Sequence, residues 1–207
     1  MSTSVAPVVL IVEDEPDVAE TYERWLTDYD VRWVETGDQA LAQLDESVDV
    51  VLLDRMLPGM SGGEVLEEIR SRKIDCRVAM VTAVDPGFDI IEMGFDEYVT
   101  KPPDRDQLRE TVERLLHRAT LDSDLQKYYS LVARRAALET EYTRRELDAS
   151  EEYVGLVEQI ETQRAAVDDG IGDLTSDADF IGAVRAIMDG PDDQHPLDED
   201  VSEDPQN

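Results

Sequence analysis

The chain has 207 residues and a formal net charge of −31, with 50 Asp and Glu against 19 Lys and Arg. That length allows one domain of ordinary size plus an appendage. Cys76 is the only cysteine, so an internal disulfide is excluded and nothing argues for export.

The first seven residues carry no basic region, and the apolar run after them is short and ends in acids, as a strand does and a signal peptide does not. No stretch reaches the roughly 20 apolar residues of a membrane span. A soluble, cytoplasmic protein is expected. Lys73, Lys101 and Lys127 are the only lysines. So large a like-charge excess destabilises a compact state in dilute buffer, and salt screens it. It fits a cytoplasm of very high ionic strength, as in salt-loving archaea, and folding is then expected to need molar salt. The rival is a generic acidic protein with a disordered tail.

Val8 to Val12 is an apolar, β-branched run ending in Glu13-Asp14-Glu15, with Pro16 suited to a first helical turn. Val18, Tyr22, Trp25 and Leu26 recur at helical spacing and predict a helix over 16–28. Val31 to Val34 reads as a second strand, and Ala40, Leu41 and Leu44 mark a short helix after Gly37. Val50 to Leu53 is apolar without alternation, as in a parallel strand covered on both faces. It stops at Asp54 and turns through Pro58-Gly59-Met60-Ser61-Gly62. A helix over 63–72, a strand over 77–81 ending at Thr82, and a strand over 96–100 ending at Lys101-Pro102-Pro103 follow. Asp104 caps a last helix through about His117. Five β–α units in about 120 residues predict an α/β fold, a doubly wound parallel sheet in the flavodoxin-like order 2-1-3-4-5.

Beyond Leu121 the period changes. Leu125, Tyr128, Tyr129, Val132 and Ala136 form a helical stripe, continued by Leu138 and Tyr142. Ser150-Glu151-Glu152 reads as a new N-cap and first turn, and Tyr153, Val154, Leu156, Val157 and Ile160 as a second stripe. An α-helical hairpin extension broken near 147–150 is predicted, with one more short helix over 177–188 and a disordered acidic tail from Pro191. The expected division is a disordered N-terminus over 1–7, the α/β domain over 8–119, a helical domain over 120–189 and a tail over 190–207.

Asp54 sits at the carboxyl edge of the sheet, where open α/β folds place ligand sites. By itself an Asp there is equally well a turn former or a helix cap. In the predicted order, however, the strands ending at Glu13-Asp14 and at Asp54 are neighbours. Three carboxylates within ~4 Å, at an effective dielectric near 20, repel by about 4 kcal/mol per ionised pair. A hard divalent cation offsets that best, and Mg²⁺ takes one or two carboxylates while keeping waters. Thr82 and Lys101 add a hydroxyl and an ammonium at the same edge, and Lys101-Pro102 is expected to be cis, aiming the ammonium inward. An Asp nucleophile, a metal, a hydroxyl and a cation are the parts that in-line phosphoryl transfer to a carboxylate requires.

These residues carry a family resemblance. Glu13-Asp14, the run Asp54 to Gly62, Thr82-Ala83 and Tyr98-Val-Thr-Lys101-Pro102 resemble the receiver domain of two-component response regulators over about Val8 to Ala119. The resemblance implies that Asp54 accepts a phosphoryl group from a sensor histidine kinase. Asp14, Asp54 and the backbone carbonyl of Met56 would ligate Mg²⁺, with Glu13 helping through water. Lys101 would pair with the phosphorylated carboxylate, Thr82 would close on a phosphoryl oxygen, and Tyr98 would be the aromatic that follows Thr82. The segment between Thr82 and Tyr98 is shorter than is usual in the family, and Pro86-Gly87 leaves room for a fourth helix of two turns. Tyr128 to Glu139 and Ser150 to Leu156 resemble the HalX domain found behind receivers in halophilic archaea.

Three outputs follow from these observations. The first is a switched protein–protein contact through the helical hairpin, with Tyr128, Arg134, Arg135 and Tyr153 as output candidates and a downstream protein or a second copy of the chain as partner. The second is a DNA-binding transcriptional regulator. Lys127, Arg134, Arg135, Arg144 and Arg145 make the first helix of the extension locally basic, but residues 121–207 hold seven Arg and Lys against twenty-three Asp and Glu, the wrong sign for phosphate binding. The third is an enzyme. Haloacid-dehalogenase-like phosphatases need a second Asp two residues after the first, and Met56 stands there. No nucleotide-binding glycine motif follows any strand. Autocatalytic phosphoryl acceptance and hydrolysis are the most enzyme-like chemistry expected.

Overall fold

A computed structural model describes residues 6–121 and 123–171. The helix expected over 177–188 and the tail from Pro191 lie outside those residues, as do residues 1–5 of the expected N-terminal segment. Five parallel strands form one sheet: β1 (Val8–Val12), β2 (Asp30–Val34), β3 (Val50–Leu53), β4 (Arg77–Thr82) and β5 (Glu97–Thr100), in the order β2-β1-β3-β4-β5. Every residue of β1 and β3 is buried, the outcome expected of unbroken apolar runs between two helical layers. One face packs against α1 (Pro16–Trp25) and α4 (Arg105–Ala119), whose Ala19, Tyr22, Leu108, Val112 and Leu115 join Val9, Ile11, Val50, Leu52 and Val81 in one cluster. The helices α2 (Gly37–Gln43) and α3 (Gly62–Ser71) pack against each other.

Local signals set the helix starts. Ser61 and Glu64 form a reciprocal capping box at α3, and the Asp104 carboxylate accepts from the Gln107 amide at α4, each supplying an acceptor for an otherwise unpaired amide. At its other end α1 is shorter than its apolar spacing predicts. It stops at Trp25, and the Tyr29 amide closes a turn onto the Leu26 carbonyl, over the weak helix formers Thr27 and Asp28.

A second departure matters more. Between β4 and β5 there is no two-turn helix, only a four-residue 3-10 turn over Phe88–Ile91. Pro86 lacks an amide donor and Gly87 is extended, so the chain closes only tight bonds, Ile90 N–H to Gly87 O and Met93 N–H to Ile90 O.

The space is filled by the second half of the chain. Helix α5 (Ser123–Glu141) packs against β5 and the 3-10 turn. Ser130 Oγ donates to the Phe95 carbonyl at 2.8 Å, and Arg134 Nη1 donates to that of Ile91 at 3.2 Å. The Arg134 guanidinium also lies 5.8 Å from the Phe95 ring centroid, and Phe88 stacks on Tyr142 at 4.6 Å. A one-turn helix, α6 (Arg144–Asp148), precedes α7 (Glu151–Ile171), and the Tyr153 amide caps onto Ser150 Oγ. Arg144 and Arg145 therefore open α6 and do not extend the basic stretch of α5.

The hydroxyl of Tyr153 donates to Glu139, and Gln163 Nε2 donates to the Asp124 carbonyl, so α7 runs back along α5 as the predicted hairpin. Two stripe positions differ from the expectation: Ala136 and Val154 are exposed, while Leu131 is buried. Because α5 has the sheet on one side and α7 on another, its buried arc is wider than a single stripe. These contacts join the α/β part and the helices, as far as Asp168, into one compact unit.

Candidate functional site: an acid cluster bridged by Lys101

Strand register builds the site. Val12 pairs with Leu53, so the next residues, Glu13 and Asp54, leave the sheet side by side. Thr82 pairs with Thr100, and the Lys101 amide donates to the Thr82 carbonyl at 2.9 Å. All four strand ends reach the same edge because every strand is parallel. The turn after Asp54 is held by glycines at two places. Gly59 has φ +80, and a Cβ on Gly62 would lie 2.0 Å from the Asp54 carbonyl oxygen. Only glycine permits that approach.

Carboxylate oxygens of Glu13, Asp14 and Asp54 lie within 4.8 Å of one another, and Asp14 is exposed while the other two are buried. The Lys101 ammonium sits 2.5 Å from both Asp54 Oδ2 and Glu13 Oε2. The other Asp54 oxygen, Oδ1, accepts from the Met56 amide at 3.0 Å. Lys101 is thus the counter-charge to the two buried acids, and Glu13 meets it directly. The Lys101–Pro102 peptide is cis.

Burial pushes the Glu13 carboxyl above its usual value against the opposing pull of Lys101. For Lys101 burial acts downward, but hydrogen bonds from Asp54 and Glu13 outweigh it and hold the ammonium above its ordinary range. The fit to a hard divalent cation is good: three convergent carboxylates of graded exposure match an oxygen donor set.

Thr82 is fully buried, and its hydroxyl accepts from the Val84 amide at 3.3 Å. Tyr98 is half-buried, donates to the Val84 carbonyl at 2.6 Å and packs on Phe95 with ring centroids 5.6 Å apart. Burial raises its phenol pKa. The Arg55 guanidinium pairs with Asp89 of the 3-10 turn and so lies outside the acid cluster. The Val84 and Phe95 carbonyl contacts were invisible in the sequence, since any residue offers a carbonyl.

The output candidates lie within the chain's own packing. Tyr128 and Tyr153 are buried, Arg134 bonds the Ile91 carbonyl of the α/β part, and Arg135 pairs with Glu139 on α5.

Five parallel strands in this order, flanked by helices on both faces, define a CheY-like receiver fold. Residues 9–113 match the response regulator receiver domain and residues 117–184 the HalX domain, so the chain belongs to the response regulator receiver family with a HalX domain behind it. A Haloferax volcanii protein provisionally named a transcriptional regulator is 42% identical over 184 residues, which are 87% of this chain and 31% of that protein. The sensory transduction protein RegX3 of Mycolicibacterium smegmatis is 40% identical over 122 residues, 56% of this chain and 53% of its own length. The chain therefore spans about a third to about half of these relatives. Among solved structures, the signal receiver domain of a Vibrio parahaemolyticus protein provisionally named as the LuxO repressor superposes with a TM-score of 0.52 at 34% identity, over 56% of this chain and 93% of that one. Among the described residues, no helix is long and apolar enough to cross a membrane.

Proposed function

We propose that this chain is a phosphorelay response regulator: a receiver over 8–119 accepts a phosphoryl group on Asp54 from a sensor histidine kinase and alters the docking of a helical output domain over 120–189. The observation that carries this is the Asp54 carboxylate, held between the Lys101 ammonium and the Met56 amide at the mouth of an acid cluster. A carboxylate oxygen of Asp54 attacks phosphorus, the bond from phosphorus to the donor's imidazole nitrogen breaks, and that nitrogen takes the electron pair.

Mg²⁺, held by Asp14, Asp54 and the Met56 carbonyl with Glu13 through water, would neutralise charge on the phosphoryl oxygens. Lys101 then turns from two carboxylates to the modified one. The group brings roughly −1.5 to −2 charge and new acceptors, which draw the Thr82 hydroxyl off the Val84 amide. Val84 also holds Tyr98, Tyr98 packs on Phe95, and Phe95 carries Ser130 and Arg134 of α5, so a shift at Thr82 reaches the output helix through adjacent contacts.

Incubation with acetyl phosphate and Mg²⁺ adds the mass of one phosphoryl group to the unaltered chain and none to Asp54→Asn. A labelled mutant would remove Asp54 as the acceptor. The output is read as contact with a downstream protein or a second copy, in a cytoplasm of high salt. The name of the Haloferax relative favours transcriptional regulation as the second reading, through the exposed Arg144 and Arg145 of α6. A gel shift with duplex DNA at molar KCl separates the two.

A further inference from the structure

An open cleft of about 500 Å³ lies between the receiver and α5, far along the sheet from the acid cluster, at the start of β4. Its lining holds five cations, Arg70, Lys73, Arg77, Lys127 and Arg134, against two carboxylates, Asp75 and Asp96. That is an inversion of sign for a chain with 50 acids and 19 bases. Of its three lysines, one serves the acid cluster and the other two stand at this mouth.

The two carboxylates are already engaged. Asp96 is buried and accepts from Arg70 and from the Val78 amide, both at 2.8 Å, while Asp75 pairs with Arg77. Among the described residues Lys73 and Lys127 form no ion pair, while Arg134 feels Asp96 without pairing to it and donates its Nη groups to the Ile91 carbonyl and Ser130 Oγ. The Nε atoms of Arg77 and Arg134 are buried without an acceptor. Burial also pushes the Arg134 guanidinium pKa down, the mark of a charge not fully compensated. Lys73 has φ +56, a left-handed backbone that most side chains avoid, where glycine or asparagine is the usual choice.

We infer that this cleft binds a small multivalent anion of the phosphate-ester or diphosphate class, bridging the receiver and the output helix. A guanidinium and ammonium cluster of this kind matches phosphate oxygens. The chain as a whole carries a net charge of −31 and repels an extended polyanion, so the ligand must fit inside the cleft. Because Lys73, Arg70 and Arg77 belong to the receiver and Lys127 and Arg134 to α5, occupancy holds the two parts together and raises the melting temperature.

In Mg²⁺-free buffer at fixed molar KCl, the full chain is expected to take up inorganic pyrophosphate saturably in isothermal titration. Because the side chains of Lys73 and Lys127 are exposed and, among the described residues, make no hydrogen bond or ion pair, the doubly substituted Lys73→Gln, Lys127→Gln chain is expected to keep its fold and to bind at least about tenfold more weakly. The Asp54→Asn chain is expected to bind as the unaltered one does, which keeps this site separate from the phosphoacceptor. No saturable uptake, or equal uptake by the double variant, overturns the inference. A short DNA duplex that binds and is displaced by pyrophosphate overturns the restriction to small anions.

Discussion

The acid cluster and the face that docks α5 are both built from residues far apart in sequence, yet they are held by different kinds of contact. At the cluster, side chains meet side chains: Lys101 reaches Glu13 and Asp54, and each sits one residue past a strand. At the docking face, side chains meet backbone: Ser130 and Arg134 of α5 bond the carbonyls of Phe95 and Ile91. The first arrangement concentrates charge at one edge and the second spreads polar contacts around a buried ring. Under the proposed function, a change of charge would start at the cluster and a change of shape would end at the docking face.

Removing the ring is the strongest blow to that division. Phe95 is fully buried, and Phe95→Ala is expected to cost about 3–5 kcal/mol and to speed amide exchange in α5, read by denaturant melts and exchange mass spectrometry. Stability lost without faster exchange in α5 would mean that Phe95 supports the sheet alone. Next comes Lys101→Ala. It leaves two buried acids facing each other, a cost of about 3 kcal/mol where a buried pair loses one partner, and Mg²⁺ should restore more stability to this variant than to the unaltered chain. It should still accept a phosphoryl group, with no change of exchange in α5. A normal response there would take Lys101 out of the coupling.

Ser130→Ala is expected to be milder, about 1 kcal/mol for one hydrogen bond to a carbonyl, and to loosen α5 without touching phosphorylation of Asp54. The smallest effect concerns Glu13. Its folded pKa is raised, so its contribution to stability is complete below the usual carboxylate value and disappears as pH rises through the folded one. Glu13→Gln should flatten that part of the melting profile by about 2 °C, and an unchanged profile would place the titration elsewhere.

How much of this could be read from residues alone follows the same division. The sheet order, the strand ends and the cluster were legible because each rests on a short-range rule: an unbroken apolar run, a cap, a turn glycine. The direct contact of Glu13 with Lys101 had no signal in the sequence, because the reach of one ammonium between two strand ends is not encoded in spacing. The helix after β4 was overestimated for a related reason. Pro86-Gly87 announced a weak start, but nothing local to Phe88–Ile91 says that α5, thirty-odd residues later, occupies the space beside it. The exposed Ala136 and buried Leu131 were misjudged because one periodicity cannot describe a helix with two partners.

The stunted segment between β4 and β5 has a consequence for how such a chain can be rearranged. In this molecule the second half supplies the missing wall, so the two halves are bound to travel as a pair, and a graft of either onto a foreign partner would carry an unfinished surface with it.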